Sequence, residues 1–306
     1  MTFCQGKKEA LDLISRVRSL ELKSREAAEG ALIGLHRSRH RGSSIEFSEH
    51  RAYSPGDEIR LIDWKIFGKT DRYFIKQFED ETRVQAYLLL DASGSMAYPE
   101  DRDKTSKFEY GSIIAAALAY LLLGQGDAVG LALINRGGFN WMPARAGERH
   151  FPELVEMMAR AEPEGQTRLG PLMFELQNRI SRKSLVILVS DFFDPEKEIE
   201  SSLKLLRLAG NELVLFQLLA PEEMQFPFDR ITWFEGLENE GRVLIDPGQL
   251  RRKYLNLLKS WQDRLQRLCQ EQAADFELFL TSQNPGKMLC AYLVHRSQTQ
   301  RRRARP

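Results

Sequence analysis

From residue 84 onward, short apolar runs alternate with longer stretches whose apolar residues recur at helical spacing. Val84 to Leu90, Ala128 to Ile134, Ser184 to Val189 and Glu212 to Leu219 are nearly unbroken apolar runs, the pattern of strands buried on both faces. Lys107 to Leu123, Arg149 to Ala161, Leu169 to Ile180 and Pro195 to Leu208 read as helices, the last with proline in its first turn. Residues 221–247 are irregular, with short strand candidates at Ile231–Phe234 and Arg242–Ile245. A long helix at Gln249–Gln272, a strand at Asp275–Leu280 and a helix at Gly286–Val294 follow. Strands alternating with amphipathic helices predict a three-layer α/β fold, a mostly parallel, Rossmann-like sheet with right-handed crossovers.

The N-terminal pattern differs. Leu11, Ile14, Val17, Leu20 and Leu22 give residues 8–35 helical spacing, ended by Gly34 and the basic stretch His36–Arg41. Residues 45–83 hold short β-prone runs (Ile45–Phe47, Tyr73–Phe78) around the turn signal Tyr53-Ser-Pro-Gly-Asp57. The expected organisation is a helix and small β-rich subdomain over 1–83, the α/β domain over 84–295, and a basic disordered tail over 296–306.

Charge and cysteine content narrow the function classes. Lys and Arg number 44 against 43 Asp and Glu, a net charge of +1, so no global field favours nucleic acid or an acidic substrate. The three cysteines, Cys4, Cys269 and Cys290, form neither a disulfide framework nor a zinc pair. With no signal-peptide pattern, and with the longest apolar run, Ile113–Leu123, too short to span a bilayer, a cytoplasmic protein is expected.

The candidate chemistry lies at Asp91-Ala-Ser93-Gly-Ser95-Met96, directly after a buried strand. Ligands of open parallel sheets bind beyond the carboxyl ends of the strands. Alternate residues of an extended turn point the same way, so one carboxylate and two hydroxyls can converge there, with Gly94 permitting the bend. Hard oxygen donors suit Mg²⁺ or Mn²⁺. Thr167 precedes a helix and Asp191 ends another buried strand, so both loops are expected on the same sheet edge. Asp91 as a mere loop cap is the competing reading.

The Asp-x-Ser-x-Ser signature with the later Thr167 and Asp191 resembles the metal-ion-dependent adhesion site of the von Willebrand factor type A fold. Arg51-Ala-Tyr53-Ser-Pro55-Gly56-Asp57, then Arg60-Leu-Ile62-Asp63-Trp64-Lys65, then Phe78-Glu-Asp-Glu81 are similar to the bacterial domain-of-unknown-function family numbered fifty-eight. The resemblance runs from about residue 35 to 295. It implies Asp91, Ser93, Ser95, Thr167 and Asp191 as the metal shell, with a partner's carboxylate in the open position. Gln166 stands where glycine is expected, which bears on the loop delivering Thr167. The resemblance also implies a MoxR-type AAA+ ATPase as partner of a non-enzymatic adaptor or chaperone-like module.

Met96, Phe192 and Phe193 are candidates for an apolar, partner-binding rim, although burial in the sheet layer explains them as well. Asp194 is either an outer-shell group or a helix cap. Two other functions stay open. A metal-dependent, phosphatase-like hydrolase would use a strand-end Asp, but Ser93 stands where a second acid is needed and no phosphate loop appears. Nucleic-acid binding would use His36–Arg41 and the Arg-rich tail.

Overall fold

The computed structural model describes residues 2–39, 50–52, 73–76, 84–101, 103–135, 138–166, 169–238 and 241–303. The chain forms two compact units, one of Met1–Leu35 with Val84–Pro306 and one of His36–Arg83. In chain order the elements begin with α1 (Thr2–Arg39), β1 (His50–Ala52), β2 (Phe74–Lys76), β3 (Gln85–Asp91), α2 (Lys107–Gly124), β4 (Ala128–Asn135) and β5 (Gly138–Ala146). They continue with α3 (His150–Arg160), α4 (Leu169–Leu176), β6 (Leu185–Ser190), α5 (Glu196–Leu208), β7 (Glu212–Leu219) and α6 (Pro221–Gln225). The chain closes with β8 (Thr232–Glu235), β9 (Arg242–Ile245), α7 (Pro247–Glu271), β10 (Asp275–Leu280) and α8 (Pro285–Arg303).

In the smaller unit, β1 pairs antiparallel with β2, Arg51 opposite Ile75. The turn at Tyr53–Asp57, the motif at Arg60–Lys65 and the β-prone run at Ile45–Phe47 lie outside the described residues.

The larger unit carries a six-stranded sheet in the order β10-β7-β6-β3-β4-β5. All neighbours run parallel except β5, which pairs antiparallel with β4 at the edge. The unbroken apolar runs are explained by a sheet covered on both faces. On β3, Leu88 and Leu90 pack with α1, α2, α3 and α8, whereas Tyr87 and Leu89 pack with α4, α5 and α7. Burying each such leucine contributes about 1.5–3 kcal/mol. The order reverses direction between β3 and β6, so a crevice forms beyond their carboxyl ends. The fold is thus the expected three-layer α/β arrangement.

Helix α2 is the central covering helix. By length and composition it could cross a membrane, yet 72% of it is buried inside the unit. Ser106 caps it by accepting the Glu109 N–H at 3.1 Å, which places Lys107 at the first helical position under the crevice. Gly111 lets the helix lie close to the sheet: a Cβ there would sit 2.9 Å from Leu218 and 3.0 Å from Leu90 side chains.

Three boundaries differ from the pattern's expectation. Helix α1, expected with the N-terminal subdomain, belongs to the larger unit as far as Leu35, with Ala28 and Ala31 fully buried. Helix α8 runs on to Arg303 where a disordered tail was expected from 296. Arg296 anchors it, pairing with Asp275 at 2.7 Å and Glu212 at 2.8 Å. Strand β5 escapes the apolar pattern because it is an edge strand with no fully buried residue and with Pro143 inside it.

Candidate metal and partner site

Strand β3 ends at Asp91, and the chain turns through Ala92 and Ser93 into a short 3₁₀ helix, Gly94–Ala97. Ser93 keeps extended dihedrals (φ −68°, ψ 164°) before that turn. The geometry brings the Ser93 and Ser95 hydroxyls to 3.0 Å from each other. The Ser93 N–H donates to Asp91 Oδ1 at 2.9 Å, an Asx-type bond that fixes the carboxylate. The Ser190 hydroxyl, from the end of β6, donates to Asp91 Oδ2 at 2.6 Å. Asp91 is 2% exposed.

Glycine at 94 is a steric requirement. A Cβ there would lie 2.3 Å from the Leu237 carbonyl oxygen, which belongs to the segment joining β8 and β9. The Gly94 N–H donates to Gly165 O at 2.8 Å, and the Glu164 N–H donates to Ala92 O at 3.1 Å. The 164–165 loop is therefore pinned to the motif. Thr167, two residues on, lies outside the described residues.

Asp191 arrives from the other side of the crevice, immediately after β6, and is also 2% exposed. Its backbone carbonyl accepts from Gln217 Nε2 at 3.0 Å, and its Oδ1 accepts from the Phe193 N–H at 3.3 Å. Phe192 between them has φ +57°, a left-handed conformation costly for an aromatic residue. Full burial of its ring and the bond from its N–H to Ser190 Oγ, 2.9 Å, hold it there.

The second oxygen of Asp191 is taken by a group the sequence motif did not flag. Lys107 Nζ lies 2.7 Å from Asp191 Oδ2 and 2.7 Å from Glu223 Oε1. The Lys107 side chain is only 1% exposed. Burial works against its charge, but Asp191 and Glu223 outweigh burial, so the ammonium is held protonated above its ordinary range. Glu223 is itself fixed, since its Oε2 accepts the Ala220 N–H at 2.6 Å.

The two strand-end aspartates are close enough to repel. Burial first, and then the negative charge of Asp191, raise the Asp91 pKa from 3.8 to about 6, against the lowering bonds from Ser190 and Ser93. Two of the carboxyl groups here, Asp191 and Glu223, pair with the Lys107 ammonium, while buried Asp91 lies close enough to Asp191 to feel its charge. Among the described residues the two aspartates repel each other, and burying like charges together is costly.

Which of these groups can hold a metal follows from their chemistry. Asp91, Ser93 and Ser95 form a compact set of hard oxygens suited to Mg²⁺ or Mn²⁺. Asp191 can complete the shell, but Lys107 contests its Oδ2. No three His, Cys, Asp or Glu side chains gather as a metal cluster among the described residues.

The expected rim divides. Met96 and Phe192 are fully buried core side chains and cannot touch a partner, a correction whose reason is that both turns point their apolar residues back into the sheet layers. Phe193 is 47% exposed and its ring lies 5.4 Å from Lys107 Nζ, covering the ammonium. Asp194 is half-buried, and no side-chain cap forms at the start of α5, where Pro195 holds the capping position. Beside Ser95 opens a cavity of about 440 Å³ with Tyr98, Phe226, Phe234 and Tyr254 on its walls and Glu100 and Glu235 among its polar groups. Trp233 stands 63% exposed at this side of the molecule.

Lys107, Ser190 and Glu223 were missed from sequence. Ser190 carried a weak signal, lying directly before Asp191. Lys107 carried none, because a lysine at the start of an apolar helix reads as solvated.

Residues 49–263 match the family described as Protein of unknown function DUF58. The chain is 25% identical over 218 residues to Uncharacterized protein Rv1480 of Mycobacterium tuberculosis, covering 70% of this chain and 68% of that protein. It is 28% identical over 122 residues to Uncharacterized protein YeaD of Bacillus subtilis, covering 40% of this chain and 28% of that protein. Among solved structures it is similar to the conserved hypothetical protein BatB from Bacteroides thetaiotaomicron, with 14% identity, TM-score 0.45, and 70% and 99% of the two chains covered. It is also similar to the SpRpn10 VWA domain, with 11% identity, TM-score 0.41, and 68% and 94% covered.

Proposed function

The chain belongs to the DUF58 family, and on that premise we propose that it is a protein-interaction module whose sheet edge binds one divalent cation and, through it, an acidic side chain of a partner. The observation that carries this reading is the crevice itself. Asp91 and Asp191 face it from β3 and β6, and the Ser93 and Ser95 hydroxyls lie 3.0 Å apart beside Asp91. Two mutually repelling buried aspartates are the kind of pair a divalent cation such as Mg²⁺ or Mn²⁺ relieves. Asp91, Ser93 and Ser95 would hold that ion, with Thr167 and Asp191 as the remaining candidates. A bound ion supplies a fixed positive charge that a partner's carboxylate can complete.

Phe193 and the aromatic cavity beside Ser95 lie next to that position. They offer apolar contact for the residues flanking the gripped carboxylate. The partner implied by the family resemblance is a MoxR-type AAA+ ATPase, in a cytoplasmic adaptor or chaperone-like role. A hydrolase is less well served, because Ser93 stands two residues after Asp91, where aspartyl-phosphate chemistry needs a second acid.

Calorimetric titration with Mg²⁺ tests the reading: saturable binding by the intact chain and its loss in Asp91→Ala are expected. Capture of the ATPase should then require Mg²⁺ and fail with Asp91→Ala. Equal capture by both proteins in chelator removes the metal from the interaction.

A further inference from the structure

Lys107 is the least expected feature of the crevice. A fully buried ammonium is costly unless it is paired and hydrogen-bonded. Here it has two carboxylates, each at 2.7 Å, arriving from different elements: Asp191 after β6 and Glu223 in α6. The Ser106 cap and the first turn of α2 fix where its stem begins. The Phe193 ring closes over it from the solvent side. Asp91 accepts hydrogen bonds from the Ser93 N–H and the Ser190 hydroxyl. The Lys107 charge is therefore placed on Asp191.

We propose that Lys107 is a resident counter-cation that keeps Asp191 out of the inner shell of the divalent ion, lowers the affinity of the site at rest, and moves its ammonium wholly onto Glu223 when the ion claims Asp191. The inference rests on the metal reading above and deepens it by naming what regulates the site. Two features carry it. Lys107 sits 2.7 Å from one of the two carboxylate oxygens of Asp191, the strand-end group that faces Asp91. Glu223 is a second seat already in contact, so the exchange requires no journey through solvent.

The exchange makes opposite predictions for two substitutions, which keeps it testable should either fail to fold. Lys107→Gln removes the competitor and should tighten Mg²⁺ binding at least tenfold, with a larger Mg²⁺-dependent rise in melting temperature than the parent protein shows. Glu223→Gln removes the alternative seat, leaves the ammonium on Asp191, and should weaken Mg²⁺ binding several-fold. Binding is read by calorimetry with Mg²⁺ alone, and by the loss of free Mn²⁺ paramagnetic signal, on the full chain with folding checked by circular dichroism. Parent-like affinity in both folded variants, or a shift in the same direction for both, overturns the role of Lys107 while leaving the metal site standing. Absence of binding in the parent with binding in Lys107→Gln supports the role in its strongest form. Absence of binding in the parent and in folded Lys107→Gln alike sinks the metal reading and this inference with it.

Discussion

Asp91 and Asp191 are equally buried, at 2% exposure each, and face the same crevice, yet the chain treats them in opposite ways. Asp91 is held by an N–H and a hydroxyl, both neutral, and its carboxyl is pushed up to about 6. Asp191 is held by the Lys107 ammonium. The comparison teaches that burial alone does not define a binding carboxylate. Hydrogen bonds from neutral donors orient a carboxylate without cancelling its charge. A buried ion pair cancels the charge, and a new cation must first displace the old one.

The largest expected effect removes the asymmetry from the Asp191 side. Lys107→Met leaves Asp191 and Glu223 without their cation and should destabilise the metal-free protein by about 3–5 kcal/mol, measured by urea unfolding in chelator. A loss below 1 kcal/mol would mean that the ion pair is not what stabilises Asp191.

Next comes the Asp91 side. Its carboxyl is harder to ionise in the folded chain than in the unfolded one, where it titrates near 3.8. The folded state therefore holds the extra proton between pH 3.8 and about 6, and stability from this group falls as pH rises through that window. At about 1.4 kcal/mol per tenfold change, the cost approaches about 3 kcal/mol above pH 6. Asp91→Asn should remove it, making the metal-free variant more stable than the parent at pH 8 and no more stable at pH 4. Parallel stability–pH curves for the two proteins would contradict the strain assigned to Asp91.

Gly94→Ala probes the loop that presents Ser93 and Ser95. Its Cβ meets the Leu237 carbonyl at 2.3 Å, and such overpacking costs about 1–3 kcal/mol. Unfolding midpoints read the loss; unchanged stability would show that the segment joining β8 and β9 yields freely.

The smallest effect sharpens the contrast in donors. Ser190→Ala removes the hydroxyl bond to Asp91 and the acceptor for the Phe192 N–H, a cost of about 1–2 kcal/mol. It should also raise the Asp91 pKa further, visible by carboxyl NMR titration. A fall in that pKa would mean that Ser190 does not stabilise the ionised form.

The unbroken apolar runs of β3, β4, β6 and β7 had one economical explanation, strands covered on both faces, and so the layered α/β architecture was legible from sequence. The Asp91 loop was legible for the same reason: a motif directly after a buried strand must open at the sheet's carboxyl edge. Local signals also placed β9 and β10 at their observed bounds, Arg242–Ile245 and Asp275–Leu280. Tertiary contacts decided the rest. Met96 and Phe192 turned inward because the core needed their volume. Helix α8 continued past residue 295 because Arg296 found Asp275 and Glu212, which are 21 and 84 residues away in the chain. Lys107 became a buried counter-ion only because β6 and α6 bring Asp191 and Glu223 to its tip. Periodicity and turn chemistry act over a few residues and are written in the order of the chain. The pairing of charges across 84 and 116 residues exists only once the sheet order has been set.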